Sequence, residues 1–316
     1  MAERIERTPV RYPFSFVVAG DSGAWPDPTA DGIFSELLTQ VSELDPPPVF
    51  FAQLGGFTGP GTAERHERYL GLLAGLPVPD VCAVGNHDLD DASGPESFAR
   101  VHGPMNFSFA YGHTRFIVLH AQPGVTGEVE VPGADTAEGL KGPREEDLAF
   151  LDSTLAAAEE PHRVVLMHMP PHLGGRFAPH PAWGFKQREG EFLALLRARG
   201  VKLVCSAHGL AFDERVQDGI RFVMSGGGGS GLCSHYRGVC TEGAGARRTA
   251  AASTTRSRSP SPRRARSLAA SSRPSTARAR LRRRDSALAP RDMPGPDPGM
   301  STLARPASVP RGHVGA

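Results

Sequence analysis

The chain has 316 residues, 39% of them hydrophobic, enough for a sizeable core in one or two domains. Its net charge of +1 conceals a division: from Arg247 onward 16 Arg stand against 3 Asp, while the rest carries 19 basic and 31 acidic residues. No stretch reaches the ~18 apolar residues of a membrane span, and Cys82, Cys205, Cys233 and Cys240 show no C-x-x-C spacing, which argues against a structural zinc site or a disulfide scaffold.

In chain order, "MAERIERTPVRYPF" lacks the apolar centre of a secretory signal, so residues 1–12 read as an N-terminal extension and a reducing, cytoplasmic setting is expected. Apolar runs predict strands at Phe14–Ala19, Val49–Leu54, Val81–Val84, Phe107–Tyr111, Arg115–Leu119, Arg163–Met167, Val201–Ser206 and Arg221–Ser225. Helical patterns lie at Gly32–Leu44, Ala63–Ala74, Arg144–Glu159 and Lys186–Arg199; in the third, Leu148, Leu151 and Leu155 recur at spacings of three and four and share a face. The Gly-, Pro- and acid-rich segment Pro123–Gly142 reads as a long surface loop. Strand–helix alternation over residues 13–245 argues for one layered α/β domain.

Residues 246–316 read as a disordered tail: no aromatic residue occurs after Arg247, and Arg, Ala, Ser and Pro dominate. "RSRSPSPRRARS" admits three explanations: a nucleic-acid-binding arm, a solvated tail without a role, or a GC-rich coding region read out of frame. The last is favoured. On this reading, removing the tail leaves thermal stability unchanged.

The residues just after the strands carry the chemistry. "GDSG" (Gly20–Gly23) comes after the first, "GGFTG" (Gly55–Gly59) after the second, "GNHD" (Gly85–Asp88) after the third, "HMPPH" (His168–His172) after the sixth and "AHGL" (Ala207–Leu210) after the seventh. Ends of parallel strands can converge on one edge of a sheet, and oxygen plus imidazole donors suit Mn, Fe or Zn. Singly, each has a plainer explanation. Asp21 alone is more often a helix cap, His208 alone a satisfied partly buried histidine, and Pro170 and Pro171 forbid the helix that would pair His168 with His172. "SGGGGSG" (Ser225–Gly231) lacks the Lys-Ser/Thr of a P-loop and reads as a tight turn. His120, at another strand end, reads as a core or surface residue before a site residue. The ordered set outweighs its members.

That order resembles the calcineurin-like metallophosphoesterase superfamily, with the pattern shared by purple acid phosphatases. The family's Asp-x-Gly falls on Asp21–Gly23, its Gly-Asn-His-Asp/Glu on Gly85–Asp88 and its Val-x-x-His on Val165–His168. Its Gly-Asp falls on Gly55-Gly56 and its Gly-His-x-His on Ala207–Leu210, so the bridging Asp is replaced by Gly56 and the second His by Leu210. Gly59 stands where purple acid phosphatases place a metal-binding Tyr. The resemblance implies a four-layer α/β/β/α sandwich and hydrolysis of a small phosphorylated substrate, monoester or diester, at a centre of one or two Mn, Fe or Zn ions. It assigns Asp21, Asn86, His168 and His208 to metal, His87 to stabilising or protonating the leaving oxygen, and Asp88 to orienting His87.

Two dications ~4 Å apart repel by about four times the ~4 kcal/mol of a unit-charge pair at an effective dielectric of about 20. Without a carboxylate at Gly56 to offset this, a mononuclear centre held by Asn86, His168 and His208 is expected, as is restoration of a second ion by Gly56→Asp. A non-catalytic binder of metal or a phosphorylated ligand is the rival reading, and nucleic-acid binding through the tail a less favoured third.

Overall fold

Five apolar residues in the six of β1 (Phe14–Ala19) suit a parallel strand covered on both faces. The computed structural model describes residues 2–23, 28–121, 142–171, 173, 184–185, 187–231 and 300–303. In it β1 lies between β10 (Met300–Leu303) and β2 (Phe51–Gln53), with β3 (Asp80–Cys82) beyond, all parallel. A second sheet of six strands runs in the order β4 (Phe107–Tyr111), β5 (Thr114–Val118), β6 (His162–Leu166), β7 (Leu203–Ser206), β9 (Ile220–Ser225) and β8 (Phe212–Gln217). Its middle strands β5, β6, β7 and β9 are parallel, and β4 and β8 close the ends antiparallel.

Strand periodicity of two assigns the layers. Phe14, Phe16 and Val18 of β1 face the second sheet and pack with Phe109, Phe116, Val164, Leu203 and Val223. Phe50 stacks on Phe16 at 5.2 Å and meets Phe109 and Phe116 edge-on at 5.3 and 5.0 Å, so one ring fastens the sheets together. Val17 and Ala19 face outward. There α2 (Pro28–Ser42) supplies Phe34, Leu38 and Val41, α3 (Ala63–Leu73) Tyr69 and Leu73, and α4 (Gly94–His102) Phe98. On the far side of the second sheet, α5 (Glu145–Ala157) buries Leu148, Leu151 and Leu155, the face read from their spacing, and α6 (Glu189–Ala198) buries Phe192 and Leu196. The architecture is the four-layer α/β/β/α sandwich.

Two segments set apart in the sequence belong to this fold. Residues 2–12 are no mere extension: α1 (Ala2–Glu6) buries Ile5 between the sheets, Glu6 accepts the Ala110 N–H at 3.1 Å, and the Tyr111 hydroxyl donates to Pro9 O at 2.9 Å. Of residues 246–316, β10 pairs with β1 from Phe14↔Met300 to Val17↔Leu303; the remainder lies outside the described residues, as do residues 122–141, His172, Cys233 and Cys240. Ending the chain at Thr241 therefore also uncovers one edge of β1. Instead of an unchanged melting temperature, a fall of about 2–4 °C by differential scanning fluorimetry is expected, corresponding to roughly 1 kcal/mol of lost ladder.

Candidate metal centre

Five loops meet at the carboxyl ends of β1, β2, β3, β6 and β7. His168, following β6, is 1% exposed, and its Nδ1–H donates to Leu54 O at 2.7 Å. That bond leaves Nε2 with its lone pair, and burial lowers the imidazole pKa to about 4, so the ring stays neutral at pH 7. Nε2 stands 3.0 Å from Asn86 Oδ1 and 3.2 Å from His208 Nδ1. An imidazole lone pair facing an amide oxygen at that distance is an acceptor against an acceptor, an arrangement that a cation between them relieves. Asn86, His168 and His208 are thus brought together from three strand ends.

Asp21 lies beside them, 2% exposed at φ +57°. Burial raises its carboxyl well above the usual range, the Asp88 charge adds to this, and a backbone hydrogen bond from His208 opposes it. Among the described residues its Oδ2 is buried with no hydrogen-bond partner. The glycine run after β9 holds this loop in place: Gly228 N–H donates to Gly20 O and Ser230 N–H to Asp21 O. The turn expected there is a strap over the Asp21 loop.

The glycines of "LGGFTGPG" have separate steric reasons. A Cβ on Gly55 (φ +86°) would stand 2.6 Å from His168 Nδ1. One on Gly56 (φ +69°) would stand 2.6 Å from Asp21 Oδ1 and 3.3 Å from His168 Cε1, between the Asp21 and His168 sides of the centre. Position 56 thus lies between Asp21 and His168 and carries no side chain. Leu210 is a buried apolar residue at φ +47°. Among the described residues no group of three His, Cys, Asp or Glu side chains gathers closely enough to hold a metal. The donors that do gather are two imidazoles and one amide oxygen, a set whose chemistry suits a transition-metal ion.

Asp88 and His87 do not form the expected pair. Asp88 is fully buried, and its carboxylate accepts five hydrogen bonds: Gly85 N–H (2.8 Å) and Gly56 N–H (2.9 Å) on Oδ2, and Phe57 N–H (2.8 Å), Thr58 N–H (2.8 Å) and Thr58 Oγ1–H (2.9 Å) on Oδ1. The uncharged loop receives its charge from the neighbouring one. His87 instead meets Asp90, Nδ1 to Oδ2 at 2.6 Å, across the 3₁₀ turn His87–Leu89. Sequence reasoning missed Asp90; the signal was its spacing of three, which one helical turn brings to the same side.

His120 is a core residue. Its N–H donates to Asn106 Oδ1 at 2.6 Å, Asn106 Nδ2–H donates to Asp147, and its Nδ1 lies 4.0 Å from Asp147 Oδ1. Behind the Phe57 loop, His66 Nδ1 and His102 Nε2 are 3.0 Å apart in a buried pair lined by Phe57, Tyr69 and Phe98. Burial lowers the pKa of His102 and of His120 to about 4. Folded values below the unfolded ~6.5 mean that stability is complete above that pH and is lost as pH falls from 6.5 towards 4. With two such rings buried, a substantial part of a typical 5–15 kcal/mol is at stake, so acid unfolding between pH 6.5 and 4 is expected by circular dichroism. A melting temperature that is flat between pH 7 and 5 would contradict the burial of these rings.

The sequence profile of the calcineurin-like phosphoesterases matches residues 14–211, the stretch that contains all five loops. The chain belongs to the calcineurin-like phosphoesterase family. Members of this family are phosphoesterases that use divalent metals such as Mn, Fe or Zn. A dimetal phosphatase from Danio rerio is similar in structure over 68% of this chain and 88% of its own, with 14% identity and a TM-score of 0.55; at that identity the likeness shows the fold alone. A purple acid phosphatase from yellow lupin (Lupinus luteus) seeds is 16% identical over 69% of this chain and 44% of its own, with a TM-score of 0.49. No curated protein matches the chain. Among the described residues no helix is long and apolar enough to cross a membrane.

Proposed function

We propose that this calcineurin-like phosphoesterase hydrolyses a small phosphorylated substrate at a single transition-metal ion held by Asn86, His168 and His208. One observation carries the reading: His168 donates Nδ1–H to Leu54 O, and this directs the Nε2 lone pair at Asn86 Oδ1 and His208 Nδ1. Two imidazoles and an amide oxygen suit Mn, Fe or Zn, and three protein donors leave positions open for water and substrate. Bound there, the ion supplies Lewis acidity to a phosphoryl group.

The other roles fall to the chain itself. His87, on the turn that directly follows Asn86, carries the proton delivered to the departing ester oxygen, and Asp90 holds its ring through Nδ1. Asp88 fixes the Gly56–Thr58 loop against Gly85, which keeps the strand ends in register. Asp21, with Oδ2 unpartnered among the described residues, takes a donor on the water or substrate. The absence of ligating side chains at Gly56 and Leu210 supports a second reading, a binder of phosphorylated ligands with no turnover.

His168→Ala removes one of three donors, so metal content measured by plasma mass spectrometry is expected to fall from about one per chain to background. Full retention in that variant would overturn the ligand set. Hydrolysis of a chromogenic phosphodiester with added Mn, Fe or Zn separates the readings: metal-dependent turnover that His168→Ala abolishes supports the hydrolase, and one bound ion without turnover supports the binder.

A further inference from the structure

The six-stranded sheet ends on β8, an edge strand that combines charged residues with exposed apolar ones. Its sequence, Phe212–Gln217, contains neither Lys nor Pro, and its charges are Asp213, Glu214 and Arg215, the first and last of opposite sign on one face. Opposite β9, Phe212, Glu214 and Val216 share the face of Ser225, Val223 and Arg221, the inner face of the sandwich where Val223 is core. Yet Phe212 is 37% and Val216 64% exposed, two of the five large apolar side chains exposed on the described surface. Asp213 and Arg215 lie on the other face, shared with Met224 and Phe222.

We propose that β8 pairs antiparallel with β8 of a second copy of this chain, joining two six-stranded sheets across a two-fold axis. An axis normal to the sheet leaves each side chain on its own face, so opposed residues must share a face. Centring the pair on Glu214 sets Phe212 against Val216 of the second copy, and Asp213 against Arg215 of the second copy, each twice. Both exposed apolar residues are then covered, and both charge pairs are opposite in sign, each Arg215 guanidinium also donating to Leu173 O of its own chain. The two Glu214 carboxylates meet at the axis, and each is already held by Arg221 at 3.2 Å on the neighbouring strand, so charges alternate along that row. Centring on Arg215 would place two guanidiniums face to face, and centring on Asp213 would leave Val216 uncovered. The chemistry selects one partner, a copy of itself, and one register.

Light scattering on the full chain at about 10–100 µM should give twice the 33.6 kDa chain mass. Val216→Lys and Asp213→Arg, both well tolerated on an exposed edge, should each weaken the dimer by about tenfold or more with the melting temperature of the diluted monomer unchanged. The register is read directly by Glu214→Cys: opposed Cα atoms about 4.5–5.5 Å apart fall in the disulfide range, so mild oxidation should yield a covalent dimer at a rate the parent chain does not show. A single-chain mass throughout that concentration range, a dimer indifferent to Val216→Lys, or a dimer that Glu214→Cys does not cross-link would each overturn the proposal.

Discussion

Asp88→Ala is expected to lower the unfolding free energy by about 4–5 kcal/mol, at the upper end for a single substitution. The carboxylate is fully buried and takes five hydrogen bonds, four of them from backbone or hydroxyl donors of Gly56, Phe57 and Thr58. A hydrogen bond to a charged group contributes about 1.5–3 kcal/mol, and each buried donor left unpaired costs about 1–3 kcal/mol. The plain sum overshoots, because water entering the gap re-pairs part of the set. Asp88→Asn keeps the shape but turns one oxygen into an NH₂. In one orientation it faces the Gly56 and Gly85 N–H groups, and in the other the Phe57 and Thr58 donors; either places donor against donor at a cost of about 2–3 kcal/mol. Urea unfolding should show a lower midpoint at constant slope for both variants. Asp90→Ala, by contrast, removes an exposed contact and should stay within about 0.5 kcal/mol. An Asp88→Asn variant as stable as the parent would mean that the carboxylate is not what fixes the loop.

The contrast between these two acids shows where sequence reasoning stops. Strands were legible because each is a short, nearly unbroken apolar run: Phe14–Ala19, buried on both faces, and Phe107–Tyr111, an edge strand with only Phe109 and Tyr111 buried, match in full. The helices facing one layer were legible from their three–four spacing. β8 was not, because Phe212–Gln217 is a polar, half-exposed edge; the available signal was Asp218-Gly219, a two-residue hairpin turn with both residues at positive φ. The N-terminal segment escaped for a similar reason, since a single buried Ile5 leaves no periodic pattern. For the site, the order of strand ends placed Asn86, His168 and His208 together. Who bonds whom was beyond it: adjacency in "GNHD" suggests that Asp88 serves His87, but the turn directs consecutive side chains apart, sending Asp88 into the loop and leaving Asp90 for His87.

Gly56→Asp is expected to do two opposed things, and their separation tests the bridging assignment. Without metal the variant should be about 2–3 kcal/mol less stable than the parent. Gly56 has φ +69°, a conformation that costs an L-residue about 1 kcal/mol, Asp somewhat less than most. Its Cβ would crowd Asp21 Oδ1 at 2.6 Å; that atom is the end of a rotatable side chain and can swing away, whereas Asp21 Cα and His168 Cε1, both at 3.3 Å, can give only slightly. The new carboxyl also joins Asp21 and Asp88, two acids already in mutual repulsion. Steric strain alone therefore predicts a weaker protein with its metal content unchanged. The same location, however, lies between Asp21 and His168, so a carboxylate there reaches both sides of the centre and offsets the repulsion between two dications. Added Mn or Zn should then raise the variant's melting temperature more than the parent's, since an ion at 100 times its dissociation constant contributes about 2.7 kcal/mol. Bound metal should rise above one per chain. Leu210→His added to Gly56→Asp should raise it further than either change alone, because ligands of one ion act together. Loss of stability with no metal-dependent recovery would show that position 56 tolerates no ligand, and that the alignment of this loop with the family's bridging carboxylate is wrong.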